Sequence, residues 1–238
     1  KNGWFLEMGT PRQYMRNAVY LNSGGGLPFM ECAHQLRVAA TDWTWAVKFA
    51  DMDCDGWLDL FVTNGMTGDY LNSDLVAANP GGGPVHQAPP KPDRDMAFRN
   101  AGAGAGGGWS AAFENTGKTW GLDREGISFG AAWGDLDADG DPDLIVNNFD
   151  EACTVYENGT PSAEAGRLVV RLRGVHSNRA GLGARVILTS GGIQQTREIS
   201  SARGFFSYDE PVAFFGLGKA RAERLEVRWP SGRVQILT

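Results

Sequence analysis

The sequence predicts an all-β chain: a partial, incomplete β-propeller over residues 1–162, then a small β-sandwich or barrel domain over 163–238. Three observations predict it. An aspartate loop with the strand behind it occurs twice, at an offset of 84 residues (Asp135 against Asp51). A triad of aromatic, any residue and asparagine recurs at 20–22, 98–100 and 156–158, each of these copies leading into a glycine-containing turn. Beyond residue 166, apolar and basic residues alternate with a period of two. Composition agrees, because 33 Gly, 8 Trp and 12 Phe suit tight turns around large aromatic core side chains.

The elements follow in chain order. Tyr20-Leu21-Asn22 is the first triad and reads as a strand entering a turn. Trp45 and Phe49 mark a strand leading to the loop at 51–59, and Leu60-Phe61-Val62 continues as the next strand, with Asn64 soon after. Trp43 and Trp45 lie two apart and are expected on one sheet face, packed against a neighbouring sheet. Residues 66–96 form a Gly/Pro-rich insertion, since the runs at 79–84 and 88–92 break any regular element. Phe98-Arg99-Asn100 is the second triad, followed by a Gly/Ala run at 101–108. The motif then returns: Phe129 and Trp133 replace Trp45 and Phe49, the loop is 135–143, and Leu144-Ile145-Val146 leads to Asn148. Tyr156-Glu157-Asn158 is the third triad, and Asn158-Gly159-Thr160 is also a glycosylation sequon.

After residues 161–165 the pattern changes. Leu168, Val170 and Leu172 fall on one strand face and Arg167, Arg171 and Arg173 on the other. Further strands are expected at 184–189, 193–200, 212–215, 224–229 and 233–237, with Pro230-Ser231-Gly232 turning between the last two. Arg171, Arg173, Arg179, Arg185 and Arg197 are expected on solvated strand faces.

The two loops predict calcium. A hard divalent cation takes six to eight oxygen ligands, and carboxylates at positions 1, 3 and 5 of a tight loop converge on one point. Here these are Asp51, Asp53 and Asp55, and Asp135, Asp137 and Asp139. Gly56 and Gly140 allow the bend at position 6. A carbonyl at position 7 (Trp57, Asp141) and a carboxylate at position 9 (Asp59, Asp143) complete each cage. An EF-hand would need a glutamate at position 12, where Val62 and Val146 stand. Two Ca2+ sites with a structural role are therefore expected.

These motifs resemble known modules. The two DxDxDGxxD loops with their strands resemble FG-GAP/VCBS repeats, the blades of integrin-α-type propellers. Leu168–Gly174, Gly183-Ala184-Arg185-Val186, Gly204-Phe205-Phe206-Ser207, Phe215-Gly216-Leu217-Gly218 and Val227–Gly232 resemble the ASPIC/UnbV domain, as does Ser177-Asn178-Arg179. The resemblance implies a secreted protein with a calcium-bound propeller and no defined catalytic residues. Full propellers of this type have about seven blades, so further protein is expected at the open edges.

Function classes narrow accordingly. A formal net charge of −6, from 28 acidic and 22 basic residues, argues against nucleic acid. No apolar stretch is long enough to span a bilayer. Lys1 in place of a start methionine predicts a mature or trimmed chain. Cys32, Cys54 and Cys153 have no metal-type spacing, and a disulfide among them is left open, as is its pairing. No HExxH or GxxxxGK[ST] pattern is present. The expectation is an extracellular or cell-surface module, not an enzyme, that binds protein or glycan or self-associates through exposed blade edges. The alternative is a catalytic or accessory enzyme using the propeller face.

Overall fold

A computed structural model describes residues 16–69 except 23 and 25, 88–102, and 113–238 except 164 and 177. The run at 79–84, most of the Gly/Ala run after Asn100, and Ser177 lie outside the described residues. The chain is all-β, with one short helix among the described residues.

Strands β1 (Tyr20–Leu21) and β2 (Met30–Glu31) form an antiparallel pair. Next come β3 (Thr44–Ala50), β4 (Asp59–Asn64), β5 (Asp93–Arg94), β6 (Met96–Asn100) and β7 (Phe113–Asn115). The helix α1 (Gly117–Trp120) and β8 (Glu125–Gly126) lead to β9 (Ser128–Gly134), β10 (Asp143–Asn148) and β11 (Thr154–Tyr156). One sheet has the order β3-β4-β6-β7 and the next has β9-β10-β11, while β5 pairs with β8.

The repeat is written into the registers. Phe49 pairs with Leu60 as Trp133 pairs with Leu144, and Thr44 pairs with Asn64 as Ser128 pairs with Asn148. Phe98 lies beside Leu60 as Tyr156 lies beside Leu144. The aromatic triad is therefore the end of the third strand. Its first copy belongs to the same design, because β1–β2 corresponds to β6–β7. Cys32 N–H donates to Val19 O as Thr116 N–H donates to Ala97 O. Leu36 bonds back to Cys32 as Trp120 does to Thr116, and Val38 to Ala33 as Leu122 does to Gly117. Even the left-handed residue that ends each helical turn recurs, as Arg37 (φ 62°) and Gly121 (φ 70°).

Packing repeats as well. Leu36, Val38, Leu60, Val62 and Phe98 close one interface between sheets. Leu122, Leu144, Val146 and Trp133 close the next, against Phe61 and Ala97. Strand β4 is buried along its whole length because it serves both interfaces. Trp45 packs edge-on against Phe129 of the second repeat, with centroids 4.9 Å apart. Trp43 lies outside the strand, and its ring sits edge-on with that of Trp45, centroids 6.5 Å apart.

Asp95 ties the sheets together from within. It accepts Asn64 N–H (2.9 Å) and the Ser128 hydroxyl (2.9 Å). Its exposure is 1 %. Burial pushes its carboxyl up to about 6, against these hydrogen bonds that lower it.

The C-terminal part has two layers. A ribbon pairs β12 (Gly166–Arg171) with β15 (Val212–Gly218). Strands β13 (Arg185–Ser190), β14 (Ile193–Glu198), β16 (Ala222–Arg228) and β17 (Val234–Leu237) form a sheet of order β14-β13-β16-β17. Val170, Ala213 and Phe215 of the ribbon meet Val186, Leu188 and Val227 of the sheet in one core. Cys32, Cys54 and Cys153 are free thiols, the first two buried and the third exposed. Among the described residues no helix is long and apolar enough to cross a membrane.

The raised Asp95 carboxyl gives a pH signature. Its folded form holds a proton more tightly than the unfolded chain, so its contribution to stability is fullest below pH ~4 and is lost as pH rises through about 6. Asp95→Asn, which copies the residue at the equivalent Asn17, should flatten that part of the profile. Melting temperatures between pH 4 and 7 for both proteins measure the difference.

Candidate functional site

Each acid loop joins the first and second strands of its sheet, and the two wind identically. Position 9 holds the loop closed: Asp59 accepts Met52 N–H (2.8 Å) and Asp143 accepts Leu136 N–H (2.7 Å). The other oxygen of each accepts the N–H of the triad asparagine, Asn100 or Asn158, at 2.8 Å. Position 1 accepts the glycine N–H of position 6, at 2.9 Å for Asp51 and 3.3 Å for Asp135. Position 5 accepts the N–H of position 7, Asp55 from Trp57 (2.9 Å) and Asp139 from Asp141 (3.1 Å). Gly56 and Gly140 have φ of 100° and 97°, a bend that glycine takes without strain. Cys54 and Ala138, at position 4, are also left-handed.

This winding draws carboxylates together. Oxygens of Asp51, Asp53 and Asp55 lie within 4.8 Å of one another, as do those of Asp135, Asp137 and Asp143. Of the eight carboxylates expected as ligands, these six converge. Asp59 gives both oxygens to backbone N–H groups. Asp139 and Asp141 turn toward Arg167. The Asp141 side chain is fully buried, although only its carbonyl was expected to matter.

The electrostatics are those of crowded, desolvated acids. Burial, then the charge of Asp55, pushes Asp51 up to about 7. Burial pushes Asp59 up to about 8 and also raises Asp55. Buried oxygens of Asp51, Asp53 and Asp141 (Oδ1 in each) have no hydrogen-bond partner. Such atoms are rare in folded proteins and suit a cation that shares them. The donor set, all oxygen, is that of a hard ion, so these residues fit calcium. Burial pushes the Cys54 thiol up to about 12, so it is no nucleophile at neutral pH.

Three arginines and a lysine were not foreseen at the site. Arg99 bonds Asp53 (2.5 Å) and Asp55 (2.9 Å). Arg167 bonds Asp139 (2.9 Å) and Asp141, and Arg171 reaches Asp135 (3.7 Å) and Glu210. The signal for Arg99 was its place inside the second triad, whose asparagine clamps Asp59. Arg171 was expected to face solvent with Arg173, Arg179, Arg185 and Arg197. Arg171 is 55% exposed there as expected, whereas Arg197 departs from that expectation: its guanidinium lies 5.2 Å from the Phe215 ring centroid and donates to Phe214 O.

The C-terminal ribbon docks on both loops. Gly216 N–H donates to Asp51 (2.9 Å), and Gly218 N–H donates to Cys54 O (3.0 Å). A Cβ on Gly216 would fall on the Asp51 carboxylate and the Cys54 backbone. Residues 201–210 then run along the edge strand β9. Ser207 Oγ accepts Ala131 N–H (3.0 Å), Asp209 accepts Trp133 N–H (2.9 Å), and Glu210 N–H donates to Trp133 O (2.9 Å). Lys48, 1 % exposed in β3, bonds Arg203 O (3.1 Å) and Asp209. Phe205 enters the cluster of Trp45 and Phe129. The sequon asparagine is also engaged, since Asn158 Nδ2 donates to Met52 O at 2.9 Å. Glycosylation there would leave Nδ2 one hydrogen for its two acceptors, Met52 O and Pro142 O.

Fold and site together define an all-β chain in which paired acid-loop repeats are clamped by a C-terminal β unit. Residues 174–238 match the family described as ASPIC and UnbV. The chain is similar to cartilage acidic protein 1 of Xenopus tropicalis, 33% identical over 117 residues, 46% of this chain and 17% of that protein. It is 35% identical over 118 residues to the cartilage acidic protein 1 of Mus musculus and of Homo sapiens. These matches cover 48% of this chain and 18% and 17% of those proteins. The chain thus spans less than a fifth of the length of these relatives.

The contact at Gly216 is open to test. Gly216→Ala should destabilise by about 1–3 kcal/mol, the usual cost of forcing extra volume into a packed site. Gly159→Ala, where an added Cβ meets nothing within 4 Å, should leave stability within about 0.5 kcal/mol. Urea denaturation of both variants compares them.

Proposed function

We propose that the chain is a calcium-stabilised β-repeat scaffold that works outside the cell as a binding or assembly module. The observation that carries this reading is the set of buried, unpartnered carboxylate oxygens on Asp51, Asp53 and Asp141, in two loops wound alike. Each loop gathers three carboxylates, and protonation is the alternative to a cation. Calcium, with six to eight oxygen ligands and tolerant geometry, suits such a loop better than magnesium does. Modules of this kind in extracellular proteins bind with Kd of roughly 10⁻⁴ to 10⁻³ M, which fits a calcium-rich exterior.

In this reading the two sheets are neighbouring propeller blades of the FG-GAP/VCBS type. The repeated registers, the repeated interface and the loop between first and second strands support it. A partner that supplies a further sheet is also supported. Val47 and Phe49 are 49% and 43% exposed, whereas their equivalents Ala131 and Trp133 are buried by the neighbouring repeat. Apolar faces of this kind are docking surfaces for protein.

Thermal unfolding in calcium and in chelator tests the metal. Binding to the native state alone should raise stability by about 2.7 kcal/mol per site when free calcium is 100 times Kd. Calorimetric titration should find two ions per chain, and Asp53→Asn or Asp137→Asn should each remove one. Superimposable melting curves with and without chelator would refute the reading.

A further inference from the structure

Trp120, Trp133 and Tyr156 line a cavity of about 360 Å³ between the two repeat sheets, with Met52, Leu122 and Leu144 as its apolar floor. That volume suits a small ligand group. The rim carries two carboxylates, Asp53 and Glu157, and among the described residues no Lys, Arg or His lines the space.

The repeat supplies an internal comparison. Where the cavity has Trp120, Trp133, Pro142 and Glu157, the preceding interface has Leu36, Phe49, Leu58 and Arg99 at equivalent positions. The second copy has two indoles where the first has smaller apolar side chains, and a negative charge where the first has a positive one. Arg99 is occupied with Asp53 and Asp55. Glu157 has no ion pair or hydrogen bond among the described residues, so it is the free anion at the rim.

Of the remaining polar groups, Asn158 and Thr160 are already used, whereas the buried Trp133 Nε1 has no hydrogen-bond partner among the described residues. Asn158 Nδ2 donates to Met52 O (2.9 Å), and Asn158 Oδ1 accepts Thr160 N–H (3.1 Å) and pairs with the Thr160 hydroxyl (2.8 Å). A sugar would need several free donors and acceptors here. Aromatic rings beside one unpaired carboxylate suit an apolar cation instead, whose charge would meet the rings and Glu157 and whose methyl groups would meet Leu122, Leu144 and Met52.

We propose that this cavity binds a methylated ammonium group, carried either by a small quaternary amine or by a trimethylated lysine side chain. Titrations in millimolar calcium, followed by indole fluorescence and by heat, should use choline, its neutral isostere 3,3-dimethylbutan-1-ol, and a trimethyl-lysine peptide. At least one cation should bind roughly tenfold more tightly than the isostere, and the tighter of the two identifies the source. Glu157→Gln, an exposed change, should weaken that binding several-fold without altering the melting temperature. Trp120→Ala should weaken it about tenfold. The proposal is overturned if the isostere binds equally well, if neither cation binds at tens of millimolar, if Glu157→Gln has no effect, or if hexoses bind in preference.

Discussion

Carboxylates crowded into two tight bends must be countered by positive charge and by aimed N–H groups, and much of the molecule is arranged around that need. The loops spend their own backbone donors first, on positions 1, 5 and 9. The triad asparagines then add a donor from the third strand. Arginines from outside each loop come last, Arg99 from β6 and Arg167 and Arg171 from β12. Oxygens of Asp51, Asp53 and Asp141 still lack partners among the described residues after all of this.

The same need explains why the C-terminal unit is clamped to the repeats and does not hang from a linker. Its ribbon donates Gly216 N–H to the first loop and two arginines to the second. Its segment at 201–210 finishes the hydrogen bonding of β9 and closes over Lys48. A lysine buried in a strand is tolerable only with such partners, because desolvation alone lowers its pKa. Loop geometry and docking are thus parts of one arrangement, joined at Asp51.

Much of this was legible in the sequence. The offset of 84 residues located both loops, and the period-two alternation after residue 166 located the ribbon. The triads were recognised as a recurring unit, and the structure shows why they recur: Asn100 and Asn158 clamp position 9. Three things were not legible. The equivalence of β1–β2 with β6–β7 was hidden, because the turn after Asn22 is shorter than the run after Asn100. The left-handed residues Cys54 and Ala138 carry no glycine to announce them. Arg99, Arg167 and Lys48 act on residues distant in sequence, and single-strand periodicity reports which face a side chain takes, not what it meets there.

The strip of residues 201–210 along β9 has one more consequence. A bare sheet margin is a template on which other chains can grow without limit, and the side chains of Ser207 and Asp209 fill the backbone donors that such growth would use. Those donors thereby become unavailable to a stray strand, so residues 201–210 block strand addition at this margin.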